Sequence, residues 1–489
     1  MSCKPLTTNA DQTKNSDYSL IFSSVLNSKG NVRFINHLKG TENIVGFIVD
    51  DREFSYRTHV NCPTVIADLI DLAVAIFASD RLVSQDLRQK QRRLCIELPV
   101  RHPELLNTES FRVRLEHLLE WVTGSRWSFT FQKRIAPERF SEHPSLPIAP
   151  QGCEVALWSG GLDALAGLYT HLRVYPEKPF MLFGTGSNHV VHAHQGKVAK
   201  GIETIFPGRS TLYRVPIRFH GSSEHSKNKV PRARGVVFTM LGAACAYLMG
   251  RKELFVYENG IGAINLPYRK SAVGLDHSRS VHPQTLLLVS DLVSELLKEE
   301  FRVRNPFLFR TKAEMCKALA EDGKIDLPPL TKSCDSPHRK KPSQCGYCSS
   351  CILRKQALAA SQMEDKTLYV VPHGKKPVED TSLYLRHMLA QVTTLRGLFN
   401  DSQDPNLQWQ ALTRRFPELG DIVDRTATAE NLLPTDMQKQ LVLLYQTYVA
   451  EWDAVESRIS VDLLNQIRLV SLIFRHLLED NQTVFETLI

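Results

Sequence analysis

Val155-Ala156-Leu157-Trp158 runs directly into Ser159-Gly160-Gly161-Leu162-Asp163. Four apolar residues suit a short buried strand, and Leu165, Leu168, Tyr169 and Leu172 fall at helical spacing within Ala164–Arg173. A strand, a glycine turn and a helix start together make an anion site. Glycine lets the backbone approach a ligand, the first helical N–H groups lack intrahelical partners, and the helix dipole favours negative charge there. A phosphate is the natural ligand. Two familiar phosphate loops are excluded. No Gly-x4-Gly-Lys-Ser/Thr pattern occurs, and Gly184-Thr185-Gly186 and Gly260-Ile261-Gly262 both lack the third glycine of the dinucleotide fingerprint.

Ser159-Gly160-Gly161-Leu162-Asp163 resembles the pyrophosphate loop (PP-loop) of the N-type ATP pyrophosphatases, whose usual pattern is SGGxDS. Ala164 stands at the last position, so one hydroxyl contact of that pattern is missing. On the loop alone, a glycine-rich turn without a ligand remains an open alternative.

At 489 residues the chain is too long for one ordinary domain, and about two to four are expected. A hydrophobic content of 43% fills such cores, while no run approaches the roughly 18 apolar residues of a membrane span. Met1-Ser2-Cys3-Lys4 leads into polar text, not a signal peptide, so the expectation is a soluble, cytoplasmic protein with no membrane partner. A net charge of +8 allows an anionic partner without requiring nucleic acid. Of ten cysteines, four are clustered; Cys3, Cys62, Cys95, Cys153, Cys245 and Cys316 are scattered and read mostly as small buried residues.

Residues 1–16 are polar and read as disordered, and 17–150 as an N-terminal α/β accessory domain. Its expected strands are Asn31–Phe34, Ile44–Val49, Leu94–Leu98 and Trp127–Phe131. A helix capped by Thr64 carries Ile66, Leu69, Ile70, Ala73, Val74 and Phe77, with Asp68 and Asp71 suggesting a half-buried scaffold. Phe111–Val122 is a second helix, and the basic run Arg88, Lys90, Arg92, Arg93 reads as a solvated face. Pro-rich His143–Pro150 is the expected linker.

Residues 151–375 alternate strand and helix, the signature of a doubly wound parallel sheet. Strands are expected at Val155–Trp158, Phe180–Phe183, Leu212–Val215 and Leu254–Tyr257, with a helix over Val236–Met249. Ligands of such sheets sit beyond the carboxyl ends of the strands. There lie Gly184–His189, Glu258-Asn259-Gly260, and a basic loop, Lys227–Gly235, whose Arg232 and Arg234 can clamp oxyanions bidentately. His189, His192 and His194 fit no helical ligand pair and read as loop or surface histidines.

Ten residues separate Cys334 from Cys345, and Cys348 and Cys351 follow, so four thiolates fall within 18 residues. Four sulfurs satisfy a closed tetrahedral zinc site, hence a structural one, and the Cys-Pro of the ferredoxin run is absent. Together the loop and this segment resemble the 7-cyano-7-deazaguanine synthase family over about residues 153–360. Val230-Pro231-Arg232-Ala233-Arg234-Gly235 resembles its VPxRN-like segment, Thr311-Lys312-Ala313-Glu314 its helix start, and Ser333–Arg354 its zinc segment. Gly235 follows an extra residue where that family has Asn directly after Arg. The long flanking segments, with Asp276–Pro283 and Asn305-Pro306-Phe307, resemble longer synthase-like proteins of anti-phage defence operons, the QatC group of the Qat system.

The resemblance implies an adenine nucleotide α-hydrolase-like fold and ATP, Mg²⁺ and Zn²⁺ as cofactors. The chemistry it implies is adenylation of a 7-carboxy-7-deazaguanine carboxylate, then attack by an amine. Ser159, Gly160, Gly161 and Leu162 would hold pyrophosphate, with Gly184 and Arg232 also at the nucleotide. Asp163 would help place Mg²⁺, and Arg234 and Lys312 would neutralise charge. The amine is ammonia in a synthase and, in the defence group, a protein partner from the same operon. Two alternatives stay open, a tRNA-modifying enzyme of the same fold and a non-enzymatic zinc-ribbon adaptor. Residues 376–489 are expected to be helical, with stripes at Leu383–Leu395, at Leu441, Leu443, Leu444 and Val449, and at Leu463–Leu478.

Overall fold

The computed structural model describes residues 16–135 except 27, 52–61 and 85–90, and residues 152–457 except 187–188, 221–227, 229–230, 269–277, 336–342 and 371–377, together with residue 459. The expected linker, Cys3, Arg88, Lys90 and Leu463–Leu478 lie outside the described residues.

The strands are β1 (Tyr18–Phe22), β2 (Lys29–Asn36), β3 (Thr41–Val49), β4 (Arg93–Val100) and β5 (Arg126–Lys133). After them come β6 (Glu154–Leu157), β7 (Phe180–Gly186), β8 (Ser210–His220), β9 (Glu253–Phe255) and β10 (Arg302–Arg304). The helices are α1 (Thr64–Leu82), α2 (Pro103–Leu106), α3 (Glu109–Thr123), α4 (Leu162–Val174), α5 (His189–Ile205), α6 (Arg234–Leu248) and α7 (Gly260–Ile264). They continue with α8 (Pro283–Leu297), α9 (Lys312–Glu321), α10 (Ser349–Ala360), α11 (Val378–Asn400), α12 (Pro405–Arg415), α13 (Glu418–Thr426) and α14 (434–457).

All ten strands form one sheet, in the order β10-β9-β6-β7-β8-β3-β2-β1-β4-β5. From β8 through β7, β6 and β9 to β10 every pairing is parallel, the doubly wound pattern expected of this half. Antiparallel β3 joins β8 through Gly46–Val49 against Ile217–His220, so the sheet runs without a break into the N-terminal strands. There β1, β2 and β3 form an antiparallel meander and β1, β4 and β5 pair in parallel. The whole is therefore a parallel-dominated mixed sheet.

Period-two alternation separates two cores. Val155, Leu157, Met181 and Phe183 face α1, α3, α6 and α8. Ala156, Trp158, Phe180 and Leu182 face the other way, onto α4, α5 and α9. A third core joins α11–α14 to Ile261 and Ile264 of α7 and to Ile352 and Leu353 of α10. Leu385, Met388, Val392 and Leu395 form its expected stripe, but Leu443 points outward.

Three local expectations are corrected. α1 is buried on nearly every side rather than half-buried, because Asp68 and Asp71 meet Arg101 inside the protein. Its N-cap is Pro63, not Thr64, whose hydroxyl bonds His102 instead. Arg92 is no solvated charge: it is buried, bonding Asp80 (2.9 Å), the Val83 carbonyl (2.7 Å) and Ser125 (2.9 Å). For Asp68, Asp71 and Arg92 the ion-pair partner is distant in sequence and leaves no local signal. Strands β1 and β10 were not expected, being short and without clear alternation. Among the described residues no helix is long and apolar enough to cross a membrane.

Candidate functional site

In the doubly wound half, chain connections leave in opposite directions from β6 and β9, opening a crevice at their carboxyl ends. The β6 end carries Ser159-Gly160-Gly161. Gly160 has φ +73°, and a Cβ there would lie 3.1 Å from the Gln195 backbone. Its carbonyl accepts from the Lys332 N–H at 2.9 Å, while Gly161 N–H donates to Ser159 Oγ at 3.1 Å. No side chain caps α4, whose first N–H groups remain available to a ligand.

Gln195 of α5 braces this turn, a role the sequence did not reveal. Its side-chain amide donates to the Trp158 carbonyl and its main-chain carbonyl accepts from the Trp158 indole, both at 3.0 Å. Gly184 lies beneath it, where a Cβ would sit 2.8 Å from Gln195 Oε1. Gly184 therefore lets α5 approach β7. The three histidines read as loop or surface residues lie in the first turns of α5, not on a loop, with His194 Nδ1 3.2 Å from the Leu330 carbonyl.

Gly160→Ala should lower thermal stability by about 1–2 kcal/mol, because alanine disfavours this left-handed backbone and collides with Gln195. Calorimetric melting of wild type and variant checks it.

Asp163, in the first turn of α4, collects partners from two further elements. Its Oδ2 pairs with Lys312 Nζ, and its Oδ1 accepts from Asn259 Nδ2 at 2.9 Å. The same Asn259 nitrogen donates to Glu258 Oε1 at 2.8 Å, so one amide bridges two carboxylates. Asn259 Oδ1 in turn caps α7 through the Gly262 N–H at 2.9 Å. Asn305 holds the Glu258 backbone, its Nδ2 donating to the carbonyl at 2.8 Å.

Burial and the Asp163 charge push the Glu258 carboxyl up to about 8. For Lys312, burial favours loss of the proton, but Asp163 and Glu258 outweigh it and its pKa is raised. The nominated Asp163 and Lys312 thus meet in one buried cluster. Glu258 belongs there too, although only the strand-end position of its loop hinted at it.

A raised carboxyl pKa means the folded state holds its proton more tightly than the unfolded chain. Glu258 therefore stabilises fully below its unfolded value near 4.5, and that contribution is lost as pH rises through about 8. Glu451 behaves alike, with burial raising it to about 7. Melting temperature should fall from pH 6 to pH 9, and Glu258→Gln should flatten part of that slope. An unchanged slope would contradict it.

Arg232 and Arg234 sit at the start of α6, the carboxyl side of β8. Buried Asp80 of α1 anchors them: its Oδ2 accepts from the Ala233 N–H at 2.8 Å, and its carbonyl from Asn228 Nδ2 at 2.7 Å. Arg81 adds a bond to the Asn228 carbonyl at 3.0 Å. Arg234 is exposed at the start of α6, and desolvation by the protein around its guanidinium and then the Arg81 charge lower its pKa. The same loop's Lys227, Lys229 and Val230 lie outside the described residues.

Cys334, Cys345, Cys348 and Cys351 are all buried, with their sulfurs within 4.8 Å of one another. Cys345 and Cys351 sulfurs stand 3.9 Å apart, too far for a disulfide. Zn–S bonds of about 2.3 Å at tetrahedral angles put sulfurs about 3.8 Å apart, so zinc fits this cage. Cys348 N–H donates to Cys345 Sγ at 3.2 Å. Fully buried Arg354 fastens the cage from behind, bonding Thr331 Oγ1 (2.6 Å), the Pro328 carbonyl (2.6 Å) and Thr367 Oγ1 (2.8 Å). Among the described residues no other group of three or more His, Cys, Asp or Glu could hold a metal.

Residues 211–362 match the family model described as queuosine biosynthesis protein QueC. The 7-cyano-7-deazaguanine synthase of Syntrophobacter fumaroxidans is 25% identical over 236 residues, 44% of this chain and 95% of that protein. That of Thermoplasma volcanium is 25% identical over 234 residues, 44% of this chain and 90% of the relative. The synthase of Desulfatibacillum aliphaticivorans is 23% identical over 235 residues, again 44% of this chain and 96% of its own length. Over that part of its length the chain is QueC-like.

Proposed function

We propose that the protein uses ATP to adenylate the carboxylate of a 7-carboxy-7-deazaguanine-type substrate, which an amine then attacks. The observation that carries this reading is the meeting of Asp163, Glu258 and Lys312 beside an uncapped glycine turn at the sheet's switch point. The similarity to proteins named 7-cyano-7-deazaguanine synthase supplies the substrate class.

A substrate carboxylate oxygen attacks the α-phosphorus of ATP; the new O–P bond forms as the bond to pyrophosphate breaks. Ser159, Gly160, Gly161 and the first N–H groups of α4 hold the leaving pyrophosphate. Lys312, Arg232 and Arg234 balance charge that develops on phosphate oxygens. Two buried carboxylates face one lysine here, so the site has room in its charge balance for a divalent cation. Asp163 and Glu258 would hold Mg²⁺, which supplies charge neutralisation on the phosphates. In the second step the amine nitrogen bonds the acyl carbon and AMP leaves. The amine's surplus proton passes to solvent. No activated side-chain nucleophile is required, because positioning and electrostatics do the work. The zinc site is closed, hence structural.

With ammonia as amine, a second adenylation of the resulting amide followed by loss of AMP gives the nitrile. A protein acceptor, with a role in anti-phage defence of the QatC kind, is the second reading. The C-terminal helices outside 211–362, packed in one core with α7 and α10, favour it. The division into an accessory part (17–150), an ATP part (151–375) and a helical part (376–489) belongs to this proposal. Purified protein with ATP, Mg²⁺ and 7-carboxy-7-deazaguanine, with and without ammonia, is read by mass spectrometry. AMP with a nitrile supports the synthase, and AMP with a mass gain on an added protein supports the ligase. No AMP under either condition overturns both.

A further inference from the structure

We propose that Glu451, far outside the QueC-like residues, is a positioning residue for Lys312. Thr311 is the N-cap of α9 and is fully buried. Its hydroxyl oxygen accepts from the Glu314 N–H at 3.1 Å, while Glu314 Oε2 accepts from the Thr311 N–H at 2.8 Å. This reciprocal cap leaves the hydroxyl proton to be placed, and a buried donor without an acceptor is costly. Glu451 Oε1, reaching in from α14, accepts it. The rotor is then fixed, its lone pair stays on Glu314, and the helix start one residue before Lys312 has a single geometry.

The other carboxylate oxygen does a matching job. Glu451 Oε2 accepts from Gln356 Nε2 at 3.1 Å, and Gln356 lies on α10, the helix that begins at the cysteine cage. One side chain therefore ties the lysine helix to the cysteine helix and both to the C-terminal core. Gln356 Oε1 is buried without a hydrogen-bond partner among the described residues. Gln356 can therefore turn its amide and donate or accept, so a glutamine at 451 can keep both contacts. An alanine can keep neither.

The inference deepens the proposed ATP site, and two measurements separate its failure from that of the ATP reading. The first needs no nucleotide. Hydrogen exchange of the protected amides at 314 and 315, followed by mass spectrometry with zinc content checked, should quicken about tenfold in Glu451→Ala. In Glu451→Gln it should stay near wild type. Unchanged exchange in Glu451→Ala overturns the proposal, whether or not the protein binds ATP.

The second is calorimetric binding of Mg·ATP to the full chain. Glu451→Ala should weaken it about tenfold, the glutamine variant should restore it, and in a Lys312→Ala background the alanine should cost nothing further. An equal loss in both backgrounds means a general scaffold contact and also overturns the proposal. A wild type that does not bind Mg·ATP refutes the ATP reading, while the exchange result still decides whether Glu451 holds the helix of Lys312.

Discussion

Cys348→Ser is expected to empty the cysteine cage and unfold the segment around it. Three thiolates and a weakly coordinating hydroxyl do not replace four thiolates, and metal binding in peptides of this kind supplies about 10–16 kcal/mol of folding free energy. Bound zinc should fall from one per chain to near zero by elemental analysis. Exchange of residues 343–360 should become fast, because α10 starts at the cage and Arg354 braces it. The loss should reach the glycine turn as well. Lys332, two residues before Cys334, donates its N–H to the Gly160 carbonyl. Mg·ATP affinity should therefore drop in Cys348→Ser although no cysteine touches the turn. Full zinc retention, or a cage that unfolds while the turn is unaffected, would contradict this account.

What could be read from the chain beforehand followed the range over which its physics acts. The cage is local, four ligands within 18 residues, and chelation needs only that spacing. The glycine turn is local too, since strand, turn and helix N-terminus adjoin in sequence. The Asp163–Lys312 pair spans 149 residues, and only the resemblance joined its two ends in advance. Glu258 was marked only by its strand-end loop and given no role, because nothing around it distinguishes a carboxylate aimed into the crevice from one aimed at solvent. Arg92 misled for the converse reason: Asp80, its partner, stands in the last turn of α1, a stretch that reads as apolar scaffold. Strand order was out of reach as well. Alternation of strands and helices implied a parallel sheet, but not that antiparallel β3 would extend it from β8.

Lys312→Met should abolish AMP formation, by about a thousandfold or more, and should also destabilise the fold. Two effects are mixed in that one variant. Removing one partner of a buried ion pair leaves an uncompensated charge, which costs about 3–5 kcal/mol, and here Asp163 and Glu258 would both remain. The charge-balanced variant Lys312→Met/Asp163→Asn separates them. With neither charge left in the pair, it should recover much of the stability lost in Lys312→Met while staying inactive. Melting temperature and AMP release measured on the wild type, both single variants and the double give the cycle. A double variant that regains activity along with stability would mean that the pair only holds α4 against α9. Activity lost in all three variants, with stability restored in the double, assigns Lys312 to the phosphates and Asp163 to the cation it was expected to help place.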